Sequence, residues 1–511
     1  MPSLDLNNLH VAHEWSAIYP ELTLGLLALG LLVLEILLPR RWHHTIARVA
    51  LLGQVALLLY FLFDILYVDR AGAFAGRSSF GGLLYHDGIG QAFRVFFLLA
   101  GALVTWLGIR SLEAREASLP RVEFFHIVLV ATGAMMLLVQ SHHFVMLFVA
   151  LETVTVSFYV LVSYFRTSPS LEGGLKYLTL GALSSAMLTF GIVLLYGASG
   201  NRALPGSTPH GLDFTALAGF LQANADNPLA LGGVILVLCG VAFKIGAVPF
   251  QIWIPDVYQG APTPVTAFLA VSSKAAGFGI LLKLIAGVFA PVADALMPGL
   301  VVVTGATILY GNFAALTQRN TKRLMGLSGV SHAGYLLLGV VATTRVSWAA
   351  GAVMFYLFTY LLASMAVFGV MTYLGGTDDI GLETDDFADL AKKNPLLATV
   401  LTVGLGSLAG IPPLAGFVGK ALLFVAAFQA GFYGLLGIAV VGVILSIFYY
   451  FGWIKQAVFE LAREGGDDAA RPRLAPVSLG WRCRVMLASL AIATIVLGFF
   501  QGPLSTWLRT G

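Results

Sequence analysis

The segment that decides the fold of this chain spans residues 243–277 and reads FKIGAVPFQIWIPDVYQGAPTPVTAFLAVSSKAAG. It sets two lysines, Lys244 and Lys274, among long apolar runs, and Pro249 follows the first lysine closely. A lysine that faces lipid costs about 3 kcal/mol. Proline frees a helical carbonyl that only a cavity or a polar group can satisfy within a membrane. The segment therefore predicts a broken membrane helix beside an internal polar cavity.

The rest of the chain has the composition of a membrane protein. Of its 511 residues, 58% are apolar and only 11% are charged, which excludes a large soluble catalytic domain. The net charge of +3 excludes a nucleic-acid-binding surface. A hydrocarbon core about 30 Å thick needs about 20 apolar residues per helix, and this criterion predicts an all-α polytopic membrane protein with fourteen spans. The spans are expected at about 18–38, 46–67, 90–110, 122–140, 144–164, 174–196, 231–253, 264–289, 299–317, 328–343, 348–374, 396–429 (broken), 433–455 and 483–507.

The basic residues predict the orientation of these spans. With the N-terminus outside, 18 of the 29 lysines and arginines fall in inner loops, 6 in outer segments and 5, all lysines, within spans. Because positive residues accumulate on the cytoplasmic side, both termini are predicted to be periplasmic. No lysine or arginine precedes Arg40, so the first span lacks the positive start of a cleaved signal peptide and is expected to be retained. Residues 197–229 are predicted to form a long outer loop.

A second span repeats the unusual features of the first. Residues 410–420 read GIPPLAGFVGK, in which Pro412 and Pro413 precede Lys420 by about two helical turns. Paired interruptions in two halves of a membrane protein indicate inverted repeats with broken helices. We therefore expect a single integral membrane domain with four parts. These are N-terminal helices at 18–121, a first repeat at 122–289, a second repeat at 299–455, and an inner loop with the last helix at 456–511.

Six side chains within spans are interpreted as intramembrane charges, each of which must face inward or reach an interface. They are Glu152, Lys176, Lys244, Lys274, Lys283 and Lys420. Buried acids and amines can exchange protons near neutral pH where solvated ones cannot, which is the property that a proton relay requires. A Glu152–Lys244 pair that opens and closes would convert an electrostatic change into a proton released elsewhere. The alternative is a static ion pair that only holds helices together.

Several residues within spans also have simpler explanations. Lys176 follows Glu172 by four residues, the spacing of a helix-end ion pair, and Lys283, near an outer end, is expected to snorkel. His332 is placed about one turn into its span, either as a relay between lysines or as a buried, hydrogen-bonded histidine. Two cysteines are too few for an iron–sulfur cluster or a cysteine-rich zinc site, so no cofactor or metal is expected in this chain. Four tyrosines are expected to be packing or interface residues: Tyr159, Tyr177, Tyr258 and Tyr360.

These motifs resemble a known family, the antiporter-like membrane subunits of NADH-quinone oxidoreductase, respiratory complex I. The similarity lies in residues 243–277 and in 151–152, 175–177, 331–335 and 410–420. Within the family the chain resembles the N type, because it has fourteen predicted spans and ends soon after the last one. It also has Lys420 where the M type has a glutamate, and Tyr19-Pro20-Glu21-Leu22 near its start.

The resemblance implies a proton-translocating subunit in a bacterial inner membrane, with NADH, FMN, iron–sulfur clusters and quinone bound by other subunits. It implies that Glu152 pairs with Lys244 and that Lys176 modulates this pair. Lys274 would be the central bridging group, and Lys420 the exit group toward the outer side. Protons would enter near Pro249 and pass by way of water and His332. The implied partners are a neighbouring antiporter-like subunit and small membrane subunits.

Two other functions stay open at this point. A subunit of a multi-subunit sodium/proton antiporter is similar in the same motif, and neighbouring genes for NADH-binding and iron–sulfur subunits would favour the oxidoreductase over it. A purely structural membrane subunit would keep the buried charges for packing alone. Replacement of Lys274 by methionine would distinguish such a scaffold from a pump.

Overall fold

The computed structural model describes residues 15–39, 42–68, 76–113, 122–376, 381–459 and 479–510, nearly all of them helical. The α-helices of the first half are α1 (Tyr19–Leu37), α2 (His43–Phe63), α3 (Gly88–Glu113), α4 (Val122–Gln140), α5 (Phe144–Val162), α6 (Ser168–Ser199), α7 (Phe214–Ala223), α8 (Pro228–Ile245), α9 (Ile254–Gly260), α10 (Thr263–Phe268) and α11 (Lys274–Lys283). Those of the second half are α12 (Ala293–Leu316), α13 (Thr321–Ala342), α14 (Ala349–Gly375), α15 (Leu390–Lys393), α16 (Pro395–Ala409), α17 (Ala415–Gln429), α18 (Tyr433–Val458), α19 (Trp481–Phe499) and α20 (Gly502–Thr510). Within the described residues the strands are β1 (Arg77–Ser79) and β2 (Leu84–His86), an antiparallel pair with Ser78 opposite Tyr85.

The predicted fold class is confirmed. In the described part of the chain, 13 helical runs are long and apolar enough to cross a membrane. A fourteenth span is divided into the two shorter apolar helices α16 and α17. The chain is therefore an all-α polytopic membrane protein with about fourteen spans and broken helices.

Three helical segments form the interior of the bundle. Residues 263–282, which include α10 and most of α11, and residues 324–342 of α13 are buried throughout, and α14 is almost completely buried. Membrane helices that carry ionisable side chains are stable when those side chains face protein or an internal cavity and not lipid. By contrast, α1, α2 and α18 expose large apolar side chains, among them Leu29, Leu59 and Phe448, as expected for helices that face lipid or other subunits. Polar groups on the three interior segments are thus shielded from lipid.

Each of the two predicted helix breaks begins at a glycine. Gly246 follows α8 with φ of 72°, and Gly410 follows α16 with φ of 85°. Other side chains are strained in this left-handed region, so glycine is the usual residue after the last helical turn. Pro249 and the Pro412-Pro413 pair lie in the turns that follow, and the peptide bonds before Pro249 and Pro413 are cis. The prolines therefore occupy the turns, whereas the glycines end the helices.

A third irregularity lies in the span that follows the first break. Residues Leu269–Ser273, between α10 and α11, form one π-helical turn, and Lys274 follows it directly. A second π-helical turn, Leu284–Val288, follows α11. π turns within α-helices are frequent at functional sites because they displace side chains from the regular helical positions. Lys274 therefore projects from a displaced position in the interior of the bundle.

Several boundaries differ from those that hydropathy predicted. Helix α13 begins at Thr321 and not near residue 328, because the two cations at its start are paired within the protein. The last span ends at Phe499, and α20 is a separate short helix after it. The predicted outer loop 197–229 contains helix α7. A hydropathy window cannot detect the partners of Lys322 and Arg323, so it places the start of this span after these charges.

Two cations that the charge count assigned to an outer segment and to an inner loop are buried inside the bundle. Arg94 forms an ion pair with Glu21 at 2.8 Å, with both side chains 3% exposed. Lys322 is fully buried and donates a 2.8 Å hydrogen bond to the Ala261 carbonyl. Eight arginines used for the orientation lie outside the described residues: Arg40, Arg41, Arg70, Arg115, Arg121, Arg463, Arg471 and Arg473.

Candidate functional site

Glu152 lies at the middle of α5 on a partly exposed side of the bundle. Its carboxylate accepts a 2.5 Å hydrogen bond from the hydroxyl of Ser185 on α6. A charge at this depth would be costly if it faced lipid. The Ser185 hydroxyl stabilises the carboxylate on one side only.

Lys244 is buried at the penultimate residue of α8, just before the first break. Its ammonium group donates a hydrogen bond to the Thr155 hydroxyl on α5. The same nitrogen lies 5.7 Å from the centre of the Tyr177 ring and 5.8 Å from that of Phe243. Aromatic faces attract a cation, most strongly where water is excluded. The site therefore stabilises a positive charge, and no carboxylate of the described residues forms an ion pair with it.

The predicted Glu152–Lys244 pair is open in this structure. Among the ion pairs of the described residues none joins these two side chains. Thr155, which holds the ammonium, lies three residues beyond Glu152 on the same helix. Closure of the pair would move the ammonium by about one helical turn, roughly 5 Å, along α5.

Lys274 is buried at the point where α11 crosses α13. Its ammonium donates a 2.5 Å hydrogen bond to the backbone carbonyl of Gly329 and lies 5.3 Å from the centre of the Tyr360 ring. A Cβ atom on Gly329 would lie 2.9 Å from the ammonium nitrogen. Glycine at position 329 therefore leaves the space that the ammonium occupies.

His332 is fully buried at the centre of α13, one helical turn beyond Gly329. Its Nδ1 lies 2.5 Å from the Tyr356 hydroxyl and its Nε2 lies 3.0 Å from the Tyr450 hydroxyl. The sequence placed this histidine one turn into its span. It lies deeper because α13 begins seven residues earlier than predicted. Both ring nitrogens have hydroxyl partners, so either tautomer is satisfied.

Lys420 is buried on α17 and binds the end of the helix that precedes the second break. Its ammonium donates to the carbonyl oxygens of Leu408 at 2.8 Å and Ala409 at 3.1 Å, and it lies 5.0 Å from the centre of the Tyr335 ring. The last carbonyls of a helix have no partner within the helix and form its negative end. The second break therefore creates the acceptor site that holds Lys420.

Lys176 occupies a different place from the other lysines. Its ammonium forms ion pairs with Glu172 and with Asp256, each at 2.7 Å, and its side chain is 41% exposed. The helix-end pair that its spacing indicated is thus present. Lys283 also has a carboxylate neighbour, Asp87, at 3.3 Å, so it ends in an ion pair and not in the water expected for a snorkelling lysine.

Comparisons with known proteins show the family. The model of the family described as "NADH:quinone oxidoreductase/Mrp antiporter, TM" matches residues 141–446. The NADH-quinone oxidoreductase subunit N 1 of Opitutus terrae is 59% identical over 498 residues, which cover 97% of each chain. The chain belongs to the subunit N family of NADH-quinone oxidoreductase. The resemblance inferred from the sequence motifs is thereby confirmed.

Solved structures agree with membership of the subunit N family. A chain of respiratory complex I from Thermus thermophilus is 32% identical, with a TM-score of 0.76, and the match covers 96% of this chain and 100% of that one. A chain of the Mrp complex from Dietzia sp. has a TM-score of 0.78 at 20% identity, covering 97% and 96%. The second similarity shows the fold alone.

Between His332 and Lys420 lie hydroxyl and amide groups to which the sequence analysis assigned no role. The Tyr449 hydroxyl donates to the Asn312 side-chain oxygen at 3.1 Å, and the Asn312 amide donates to the Tyr335 hydroxyl at 3.3 Å. Tyr449 is adjacent in sequence to Tyr450, which binds His332, and Tyr335 lies against Lys420. A chain of polar groups thus runs from the histidine toward the last lysine.

Tyr360 was expected to be a packing residue, but it contacts the relay. Its ring lies 5.3 Å from the Lys274 ammonium and 5.0 Å from the His332 ring. Tyr356 and Tyr360 are four residues apart, which places both on one face of α14. This spacing was the only signal in the sequence, and it is equally typical of packing residues.

Some buried hydroxyls beside the lysines have no hydrogen-bond partner among protein groups. In the described part of the chain these include Tyr177, Ser272 and Tyr360. Buried hydroxyls are almost always hydrogen-bonded to protein or to ordered water. These positions are therefore suited to bind water between Lys244, Lys274 and His332. The same part of the chain contains no group of three or more His, Cys, Asp or Glu side chains placed to hold a metal ion.

Proposed function

We propose that this chain moves protons across the membrane, as a subunit of NADH-quinone oxidoreductase, through Lys244, Lys274, His332 and Lys420. The observation that carries the proposal is the position of Lys274 and His332. Both side chains are buried in the interior of the bundle, and Lys274 binds the backbone of α13 one turn from the histidine. A buried amine and an imidazole with hydroxyl partners on both nitrogens can receive and release protons where lipid and bulk water are excluded.

The contacts of the groups support this order along the path. Helices α8 and α11 touch beside the first two lysines, because a Cβ atom on Gly277 would lie 3.4 Å from Cβ of Lys244. Lys274 lies one turn before Gly277 on α11 and reaches α13, which carries His332. Protons would enter near the Pro249 turn, pass through Lys244 and Lys274 to His332, and leave through Lys420.

Tyr356 is the hydroxyl best placed to pass a proton from His332 toward Lys420. Its hydroxyl contacts Nδ1 of the histidine, and its ring lies against α17. A Cβ atom on Gly419, the residue before Lys420, would lie 2.7 Å from Cδ2 of this ring. Asn312 is less suited to proton transfer, because an amide holds its two hydrogens firmly on nitrogen.

The driving signal would reach the relay from the side of the molecule. Glu152 lies on a partly exposed lateral face and is bound there by the Ser185 hydroxyl, so a neighbouring membrane subunit that covers this face would change its electrostatic environment. Movement of Lys244 between Thr155 and Glu152 would then open or close the first pair. The partners are the other membrane subunits of the complex, which also contains the subunits that bind NADH, FMN, iron–sulfur clusters and quinone.

The same proposal includes the placement of the chain in the cell. The chain would lie in the bacterial inner membrane with both termini in the periplasm and with no cofactor of its own. The two proton-conducting repeats would be residues 122–289 and 299–455, preceded by the N-terminal helices at 18–121 and followed by 456–511. The charge distribution of the loops supports this orientation.

Lys274→Met tests the proposed function. The change removes the exchangeable proton but keeps an apolar chain of similar length, so we expect assembled complex whose proton pumping in inverted membrane vesicles falls at least ten-fold. Lys283→Met is the matched control, because Lys283 is on the same helix but is paired with Asp87 and lies outside the proposed path. Unchanged pumping in Lys274→Met would refute the proposal and favour a structural subunit.

A further inference from the structure

Four charged side chains at the inner end of the bundle form a cluster that the proposed proton path does not use. Lys176 binds Glu172 and Asp256, and the second oxygen of Asp256 accepts a 2.6 Å hydrogen bond from Arg323. The same nitrogen of Arg323 donates to Gln259 at 3.0 Å. We call Glu172, Lys176, Asp256 and Arg323 the inner ion cluster. Asp256 is its centre, because it alone contacts both cations.

The inner ion cluster joins three helices, and each of them carries or adjoins part of the relay. Lys176 is on α6, where the next residue, Tyr177, lies against the Lys244 ammonium. Asp256 is on α9, the short helix after the break that follows Lys244. Arg323 is on α13, the helix of Gly329 and His332. Asp256 thus ties the first break to the helix that receives the Lys274 ammonium.

A second contact at the same place holds α9 to α13. The fully buried Lys322, next to Arg323 in the sequence, donates its hydrogen bond to the Ala261 carbonyl at the end of α9. A cation at the C-terminal end of a helix is favoured by the helix dipole. Gly326, one turn further along α13, leaves room for α9, since a Cβ atom there would lie 3.0 Å from Ile254. The close approach of α9 to α13 is therefore specified by several residues.

Lys176 lies far along α6 from Glu152, the carboxylate of the pair that it was expected to modulate. Glu152 is bound by Ser185, nine residues further along α6 than Lys176, or about 13 Å along the helix axis. Salt and solvent strongly screen charges at that separation when one of them is half-exposed. The near partner of Lys176 across helices is Asp256.

The charges around Asp256 keep it ionised. Burial alone would raise the pKa of the Asp256 carboxyl, but the hydrogen bonds and positive charges of Lys176 and Arg323 hold it below its usual value. The charged groups that face Asp256 are Lys176 from α6, with Glu172 beyond it, and Arg323 from α13. The Asp256 carboxylate therefore stays charged near neutral pH.

We propose that Asp256 is a positioning residue for proton translocation, which aligns α9 and α13 at the inner end of the relay through its ion pairs with Lys176 and Arg323. The inference rests on the proposed function, because it assigns to Asp256 the alignment of the groups that pass the proton. In this proposal Lys176 acts through Asp256, whereas the sequence predicted that it modulates the Glu152–Lys244 pair.

Asp256→Asn tests the proposal in the assembled complex. The variant keeps the size of the side chain but leaves Lys176 and Arg323 without their shared carboxylate. Because the ion pairs are partly exposed, we expect a two- to five-fold loss of protons pumped per electron. The excess positive charge at the inner end also disfavours proton uptake, so the pH profile of pumping should move by about half a unit toward acid. Asp256→Glu should restore both quantities in large part.

Glu172→Gln is the matched control. It removes the same charge and an equally short ion pair to Lys176, but Glu172 lies on the same helix as Lys176, so no contact between helices is lost. Its side chain is 63% exposed, compared with 38% for Asp256. Pumping per electron should stay at the wild-type level in this control. If Glu172→Gln and Asp256→Asn behave alike, charge alone matters and the positioning role is refuted.

Other results for Asp256→Asn and for Lys176→Gln also test the positioning role of Asp256. Wild-type pumping and an unshifted pH profile in Asp256→Asn would overturn the proposal, while a defect in Lys274→Met would leave the proposed function standing. If Asp256→Asn does not assemble, Lys176→Gln serves instead, because it removes a positive charge and keeps the Asp256–Arg323 pair. Its pH profile should move in the opposite direction, toward alkaline values. Because the variant also removes one of the two ion pairs of Asp256, its protons pumped per electron should fall, and wild-type pumping per electron would refute the proposal as well.

Discussion

Replacement of Gly329 by alanine removes the space that holds the Lys274 ammonium. The added Cβ atom would lie 2.9 Å from Nζ of Lys274 and 3.3 Å from the Tyr360 hydroxyl. Non-bonded heavy atoms settle at about 3.5–4.0 Å, so the ammonium must retreat by roughly 0.5–1 Å. The hydrogen bond to the Gly329 carbonyl, now 2.5 Å, would lengthen to the edge of useful geometry.

The cost of this change can be worked out from the contact that is lost. A hydrogen bond from a charged group contributes about 1.5–3 kcal/mol, and Lys274 is buried, so solvent does not screen the loss. Each 1.36 kcal/mol corresponds to about a factor of ten. We therefore expect pumping through the complex to fall roughly ten-fold or more. Alanine favours a helix interior over glycine by about 1 kcal/mol, which offsets only part of this loss, so the subunit should be destabilised by about 0.5–2 kcal/mol.

The assay compares proton pumping with quinone reduction in inverted membrane vesicles that contain the assembled complex. Gly339→Ala, on the same helix α13, is the control. Its added Cβ atom would meet apolar side chains of other helices, Leu423 at 2.5 Å and Val353 at 2.6 Å. Pumping should fall in Gly329→Ala and stay near wild type in Gly339→Ala. Equal pumping in the two variants would refute the role assigned to the Lys274–Gly329 contact.

Two further substitutions test the exit half of the path. Tyr356→Phe keeps the ring against α17 but removes the hydroxyl on Nδ1 of His332, so we expect pumping to fall about ten-fold. The same change at Tyr450 should have a smaller effect, and the reverse order would contradict the assigned route. Lys420→Arg keeps donors for the two carbonyls at the second break but cannot release a proton near neutral pH. It should therefore assemble with a wild-type melting temperature and pump poorly, and normal pumping would exclude Lys420 as the exit group.

The sequence by itself determined the environment of the chain and the class of its fold. Apolar runs and their lengths are local properties, so they predict membrane spans without knowledge of any partner. The rarity of lysine in lipid made Lys244, Lys274 and Lys420 conspicuous, and the structure places all three in buried positions. The two broken helices were also predictable, because glycine and proline act on their own stretch of backbone.

Contacts between distant helices were decided only by the tertiary structure. Lys244 meets Thr155 where a carboxylate was expected, and the two residues are 89 positions apart in the sequence. Asp256 and Lys176 are 80 positions apart, and Tyr449 and Asn312 are 137 apart. The sequence gives no direct information about which faces of such helices meet. Hydropathy also misplaced the start of α13, because a buried lysine and a solvated one have the same letter in the sequence and differ only in the partners that the fold supplies.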